Sequence, residues 1–138
     1  MKLTEMKCID PQPTDPSLDR AQIQQYLKEI ESWSLEDRAL KKEFLFKSFL
    51  EAVAFVKNLA IIAEEQNHHP DIIISYKKVK LTLSTHKIGG LSLNDFIMAA
   101  KIDHLFFFKI NQKENSSYNW RSQEDRQGHR HNSRQGWN

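Results

Sequence analysis

Apolar positions recur along this chain at two different spacings, and the switches between them mark out its elements. Ile23, Tyr26, Leu27 and Ile30 follow a three- and four-residue spacing, which predicts a helix that Ser17 can cap. Trp33 to Leu35 and Leu40 to Phe46 read as two short strands joined at Glu36-Asp37-Arg38. Ser48-Phe-Leu-Glu51 has the spacing of a capping box, in which Ser48 accepts from the third amide of the helix and Glu51 reaches back. In the helix it opens, Phe49, Val53, Val56, Ala60 and Ala63 form one stripe, flanked by Phe55, Leu59 and Ile62. That stripe is the expected core face.

Pro70 stops the long helix, because the residue before a proline is pushed out of helical space. Two β-rich runs follow, Ile72 to Tyr76 and Val79 to Thr85. In the second, Val79, Leu81 and Leu83 alternate with Lys80, Thr82 and Ser84, the period of a half-buried strand. Gly89-Gly90 breaks the chain, and Ser92-Leu-Asn-Asp95 opens a last helix carrying Phe96, Ile97, Ala100, Ile102 and Leu105. The order is α-β-β-α-β-β-α. Two hairpins without βαβ alternation predict an α+β fold, a four-stranded antiparallel sheet with three helices on one face.

Composition bounds the rest. A chain of 138 residues, 39% hydrophobic and 28% charged, suits one domain with one core. The formal net charge of +2 sets up no strong field toward nucleic acid or anionic membranes. No apolar run approaches the roughly 18 residues of a membrane span, and the opening MKLTEMKCIDPQPTDP lacks a secretory apolar stretch. A cytoplasmic location is expected. Cys8 is the only cysteine, which excludes an internal disulfide and a multi-thiolate metal site. Residues 1–16, interrupted by Pro11, Pro13 and Pro16, are expected to be disordered, and so is the tail 109–138, where six basic residues face three acidic ones with few large apolar side chains. Ordering costs about 1–2 kcal/mol per residue in backbone entropy alone, which so little apolar surface cannot offset. The foldable part is then 17–108. Contact between the basic tail and nucleic acid would be weak and salt-sensitive, and nucleic acid is not expected as a partner.

Six histidines are the chain's candidate chemistry. His129 and His131 fall in the tail and read as solvated, and His104 reads as a boundary residue of the last helix. His68, His69 and His86 differ, because each sits at the end of a regular element, where small-molecule sites are commonly built. Imidazole, with an ordinary pKa near 6.5, both gives and takes a proton at neutral pH. Glu64 precedes His68 by one helical turn and could orient its ring, and Asp95 follows His86 across the glycine break and could return to the same pocket. The plain alternative is a polar loop, a solvated Glu64 and an Asp95 that only completes the Ser92 cap. Metal binding fits poorly: His68 and His69, in the extended backbone that Pro70 favours, point in opposing directions, and no H-E-x-x-H helix or thiolate set is present. No metal and no cofactor are expected.

The run EEQNHHPDIIISYKKVKLTLSTHKIGGLSLND places Glu64, His68, His69, Pro70, Tyr76, His86 and Asp95 at spacings that resemble the signature of the pterin-4a-carbinolamine dehydratase family. The likeness extends more loosely upstream through Trp33 and KKEFLFKSFLEAVAFV, and covers neither the first 16 residues nor the tail. Asn67 and Asn94 depart from it: many relatives have an acidic residue before the His pair, and some have Arg before the aspartate.

The resemblance implies the same α+β fold. It implies a 4a-hydroxytetrahydrobiopterin dehydratase, a hydro-lyase that turns the 4a-carbinolamine into quinonoid dihydropterin and so supports tetrahydrobiopterin recycling. His68, His69 and His86 would be the catalytic set, with His68 and His86 the acid/base candidates and His69 polarising the pterin. Glu64 and Asp95 would orient rings or bind polar edges of the substrate. The resemblance also implies a homodimer or homotetramer. It carries an alternative, since some members act without catalysis as dimerisation or assembly partners of another protein.

Overall fold

The computed structural model describes residues 2–115, and side chains through residue 108. The chain divides into a compact unit Met1–Phe106 and a second unit Phe107–Asn138. In chain order the described elements are a 3-10 turn at Leu3–Glu5, α1 (Arg20–Leu27), β1 (Ser34–Glu36), β2 (Ala39–Leu45), α2 (Phe49–Gln66), β3 (Asp71–Ser75), β4 (Lys78–Leu83), a 3-10 turn at His86–Ile88, and α3 (Leu93–Asn115). The α-β-β-α-β-β-α order read from the sequence is the one observed.

The four strands form one antiparallel sheet in the order β1-β2-β4-β3. Asp37 and Arg38, both at positive φ (50° and 61°), make the two-residue turn between β1 and β2. That backbone matches the twist of the flanking strands. Across the central pair, Leu40 faces Leu83 and Phe44 faces Val79, while Ile72 of β3 faces Leu81. This register puts Leu40, Phe44, Val79, Leu81 and Leu83 on one face of the sheet, where Phe55 and Leu59 of α2 and Phe96, Ile97 and Ile102 of α3 cover them. Phe44, Phe46, Phe55 and Phe106 meet with ring centroids 4.9–5.9 Å apart, within the range where edge and tilted contacts add to area burial. The sheet face also carries one lysine. Lys42 reaches Asp103 Oδ1 at 2.8 Å and the Glu31 carbonyl at 2.7 Å, and Asp103 accepts from Trp33 Nε1 at 2.9 Å and from the Glu31 amide at 3.1 Å. This mostly buried pair is tolerable because its hydrogen-bonding groups are shared among four partners.

Several expectations need correction. The cap of α1 is Asp19, not Ser17: Asp19 Oδ1 accepts from the Gln22 amide, and Gln22 Oε1 accepts from the Asp19 amide. Ser48 caps α2 as read, and Glu51 Oε1 accepts from the Lys47 amide. The core stripe of α2 is Ala52, Phe55, Leu59 and Ala63, whereas Phe49 (49% exposed), Val53 (38%) and Ala60 face outward. This helix is apolar nearly all round, so spacing alone does not choose the face that packs.

Residues 2–16, expected to be disordered, carry Leu3 into the core and lie along α3 through Thr4, Cys8 and Ile9. The expected tail begins later than Lys109, since α3 runs to Asn115. Residues 116–138, with His129 and His131, lie outside the described residues. No helix among the described residues is long and apolar enough to cross a membrane.

Candidate active site

The end of α2 sets the site. Asn67 takes the left-handed conformation (φ 52°, ψ 43°), and the His68 amide donates to the Ala63 carbonyl at 3.2 Å. This is the 6→1 bond of a Schellman motif, and Asn is one of the few non-glycine residues that adopt it readily. The left-handed step takes His68 off the helical spiral, so the one-turn relation of Glu64 to His68 does not operate. Glu64 Oε2 instead meets His69 Nε2 at 2.6 Å, an exposed pair.

His68 turns inward. Its ring is nearly buried, 9% exposed, and Nε2 lies 2.7 Å from Oδ1 of Asp95, which is wholly buried. Asp95 sits in the first turn of α3. Its other oxygen accepts from the Ser92 amide at 3.0 Å and from the Thr85 hydroxyl at 2.8 Å. The Thr85 and Ser92 hydroxyls are themselves 2.7 Å apart. So the Ser92 cap is half formed as read: the carboxylate reaches back to the Ser92 amide, while the Ser92 hydroxyl goes to Thr85. Asp95 thus joins three segments, the turn after α2, the end of β4 and the start of α3.

The glycine break makes that junction possible. The Thr85 amide donates to the Gly90 carbonyl at 2.9 Å, closing a short loop over the His86–Ile88 turn. Gly89 holds a positive φ of 67°, and a Cβ on Gly90 would stand 3.0 Å from Ser17 Cβ. His86 opens this turn and is exposed. Among the described residues, hydrogen bonds tie His68 to Asp95 and His69 to Glu64, and none joins the exposed His86 ring to either pair.

With a carboxylate as acceptor, the hydrogen between His68 and Asp95 belongs to Nε2, which leaves the Nδ1 lone pair to exchange a proton. The same holds for His69 against Glu64. The one-turn spacing sets Glu64 beside His68, whereas Glu64 meets His69 and it is Asp95 that holds His68. Thr85 was missed altogether as a partner, because a hydroxyl at the end of a strand carries no distinguishing spacing. Among the described residues no three His, Cys, Asp or Glu side chains are grouped to hold a metal ion.

The family described as Pterin 4 alpha carbinolamine dehydratase matches residues 16–105. The chain belongs to that family. A provisionally named pterin-4-alpha-carbinolamine dehydratase of Alkaliphilus metalliredigens is 44% identical over 103 residues, covering 73% of this chain and 93% of that protein. One of the same provisional name from Sulfolobus acidocaldarius is 48% identical over 88 residues, covering 64% of this chain and 97% of the relative. Among solved structures, the transcriptional coactivator/pterin dehydratase from Brucella melitensis is similar at a TM-score of 0.62 and 31% identity, covering 64% of this chain and 97% of that one. The matched stretch of the pterin dehydratase family contains Glu64, His68, His69, Thr85, His86, Ser92 and Asp95.

Proposed function

We propose that this chain dehydrates a 4a-hydroxytetrahydropterin to quinonoid dihydropterin by histidine general acid–base catalysis, without metal or cofactor. The observation that carries the reading is the His68–Asp95 bond at 2.7 Å, a nearly buried imidazole fixed by a fully buried carboxylate. The reaction breaks the C4a–O bond and an N5–H bond and forms the C4a–N5 double bond. A proton goes to the departing hydroxyl, which leaves as water, and the N5 proton goes to a base. His68 and His86 take these two roles, His68 through Nδ1. His69, held by Glu64, polarises the pterin, and Asp95 and Glu64 set the ring orientations.

Positioned acid–base groups typically supply 10²–10⁴-fold. Rapid mixing with chemically generated 4a-hydroxytetrahydropterin tests the proposal. His68→Ala and His86→Ala should each lower the rate by at least about a hundredfold while thermal unfolding stays cooperative. Unchanged turnover in both variants would overturn it.

A second reading has its own support. Phe49, Leu50, Val53 and Ile61 expose an apolar strip on α2, and the similar Brucella structure bears a coactivator name beside the dehydratase one. This reading makes α2 the contact of a homodimer, a homotetramer or another protein. Light scattering on Val53→Glu, expected to give a smaller particle than wild type, separates an assembling helix from a merely apolar one.

A further inference from the structure

Residues 2–11 touch the chain beside three of the site's residues. The Ile9 amide donates to Asn94 Oδ1 at 2.9 Å, and Asn94 Nδ2 donates to the Ile9 carbonyl at 2.7 Å. One side-chain amide therefore holds both backbone groups of a single residue, as a neighbouring strand would. The Cys8 amide donates to Gln66 Oε1 at 2.8 Å, and the Cys8 thiol faces the Asn94 carbonyl at 3.7 Å. Lys87 Nζ lies 3.4 Å from both Asp10 Oδ1 and the Pro11 carbonyl, and Lys101 Nζ donates to the Thr4 carbonyl at 2.8 Å. Asn94 precedes Asp95, Gln66 stands two residues before His68, and Lys87 follows His86. The contact side chains thus flank the proposed acid–base residues in all three segments that Asp95 and its neighbours join.

We propose that residues 2–11 are a strap that positions the site, and that Asn94 is a positioning residue whose two bonds to Ile9 hold the first turn of α3, and with it Asp95 and His68, in register. The inference rests on the dehydratase reading for its kinetic consequence but not for its structural one. Asn94 is 6% exposed, so both its polar atoms are withdrawn from water and depend on Ile9 for satisfaction. Asp95 receives its Ser92 bond within the same turn, so a shift of Asn94 moves the carboxylate that fixes the His68 tautomer. Burial raises the Cys8 thiol to about 11, with the Lys101 charge opposing and the Asp95 charge adding to the rise. Cys8 therefore reports strap docking next to Asp95.

The test uses Asn94→Ala and, on the other clasp, Gln66→Ala in the full chain. Three quantities are read: the rate of Cys8 modification by a thiol reagent, the pH titration of the His68 ring by NMR, and kcat and KM for the carbinolamine. Both variants should raise Cys8 reactivity at least tenfold. Asn94→Ala should also move the His68 titration and lower kcat about tenfold with KM nearly unchanged, the scale seen when a supporting hydrogen bond behind a reacting group is cut. Free Cys8 together with an unmoved His68 titration and wild-type kcat would overturn the positioning role. Unchanged Cys8 reactivity would overturn the clasp itself. If the wild-type chain turns over no carbinolamine, the dehydratase reading fails alone, because the thiol and ring measurements still decide the strap.

Discussion

Replacing Asp95 with asparagine should separate what the carboxylate does for stability from what it does for the reaction. The three groups aimed at Asp95 are the Ser92 amide, the Thr85 hydroxyl and His68 Nε2, at 3.0, 2.8 and 2.7 Å. In Asp95→Asn the amide oxygen can still accept from Ser92 and Thr85, and the amide nitrogen then faces His68. A nitrogen donor there requires Nε2 to accept, so the ring hydrogen moves to Nδ1. Each of the three partners keeps a hydrogen bond, but bonds worth about 1.5–3 kcal/mol with a charged acceptor become ordinary ones of about 0.5–1.5. The lower cost of burying a neutral amide offsets part of that loss. The net destabilisation should be about 1–2 kcal/mol, a drop of roughly 5–15 °C for a fold of this size. The rate should suffer far more, by about 10²–10⁴, because the nitrogen free to take a proton has lost its lone pair. Urea unfolding, rapid-mixing kinetics and ring-nitrogen NMR of His68 measure the three effects. A variant within threefold of wild-type turnover, or a His68 ring still carrying its hydrogen on Nε2, would refute the tautomer argument.

Four further outcomes follow from the fold. Asn67→Ala should cost about 1 kcal/mol by putting a Cβ without a local hydrogen bond at φ 52°, while Asn67→Gly should be neutral or slightly stabilising, both read by chemical denaturation. The Cys8 thiol, raised from 9.0 to about 11, should react roughly a hundredfold more slowly at pH 8 than the same residue in the unfolded chain. The stability gained by keeping that thiol neutral is complete below pH 9 and disappears as pH climbs through about 11, so this contribution to the unfolding midpoint should be lost on the alkaline side and be absent in a Cys8→Ala chain. Asp103→Ala should destabilise by about 2–4 kcal/mol, because it strips Trp33, Lys42 and the Glu31 amide of a shared acceptor and leaves a mostly buried ammonium. Restoration by Lys42→Met in the same chain would show that the stranded charge, and not lost packing, is the larger part.

Local rules made most of the architecture legible. Serine caps placed the starts of α2 and α3, Pro70 set a limit to α2, and period-two alternation placed β4. What escaped was non-local. The strap residues hold their positions through Gln66, Asn94 and Lys101, 58 to 97 residues away in sequence, and a side chain that bonds a distant backbone leaves no periodicity. Prolines at 11, 13 and 16 bias the backbone away from regular elements, which is not the same as denying it fixed contacts. On α2, the helical spacing of Phe49, Val53 and Ala60 competes with that of Ala52, Phe55, Leu59 and Ala63, and only the sheet's demand for Phe55 and Leu59 decides between them.

The exchange of carboxylate partners at the site has a sharper cause. A four-residue offset implies contact only while the helix continues through both residues, and here it ends between them. Asn67 reverses the sign of φ, so the ring one turn beyond Glu64 is carried inward and the next ring takes its place beside the glutamate. The inward ring then meets the carboxylate that the glycine break has delivered to the start of α3. Asn67 is therefore a switch of pairing as well as a helix end. A right-handed conformation at that position would return His68 toward Glu64 and strand Asp95, a wholly buried carboxylate, without its imidazole. That cost is what keeps the left-handed turn in place, and it makes the conformation of one asparagine the condition on which the buried His68–Asp95 pair depends.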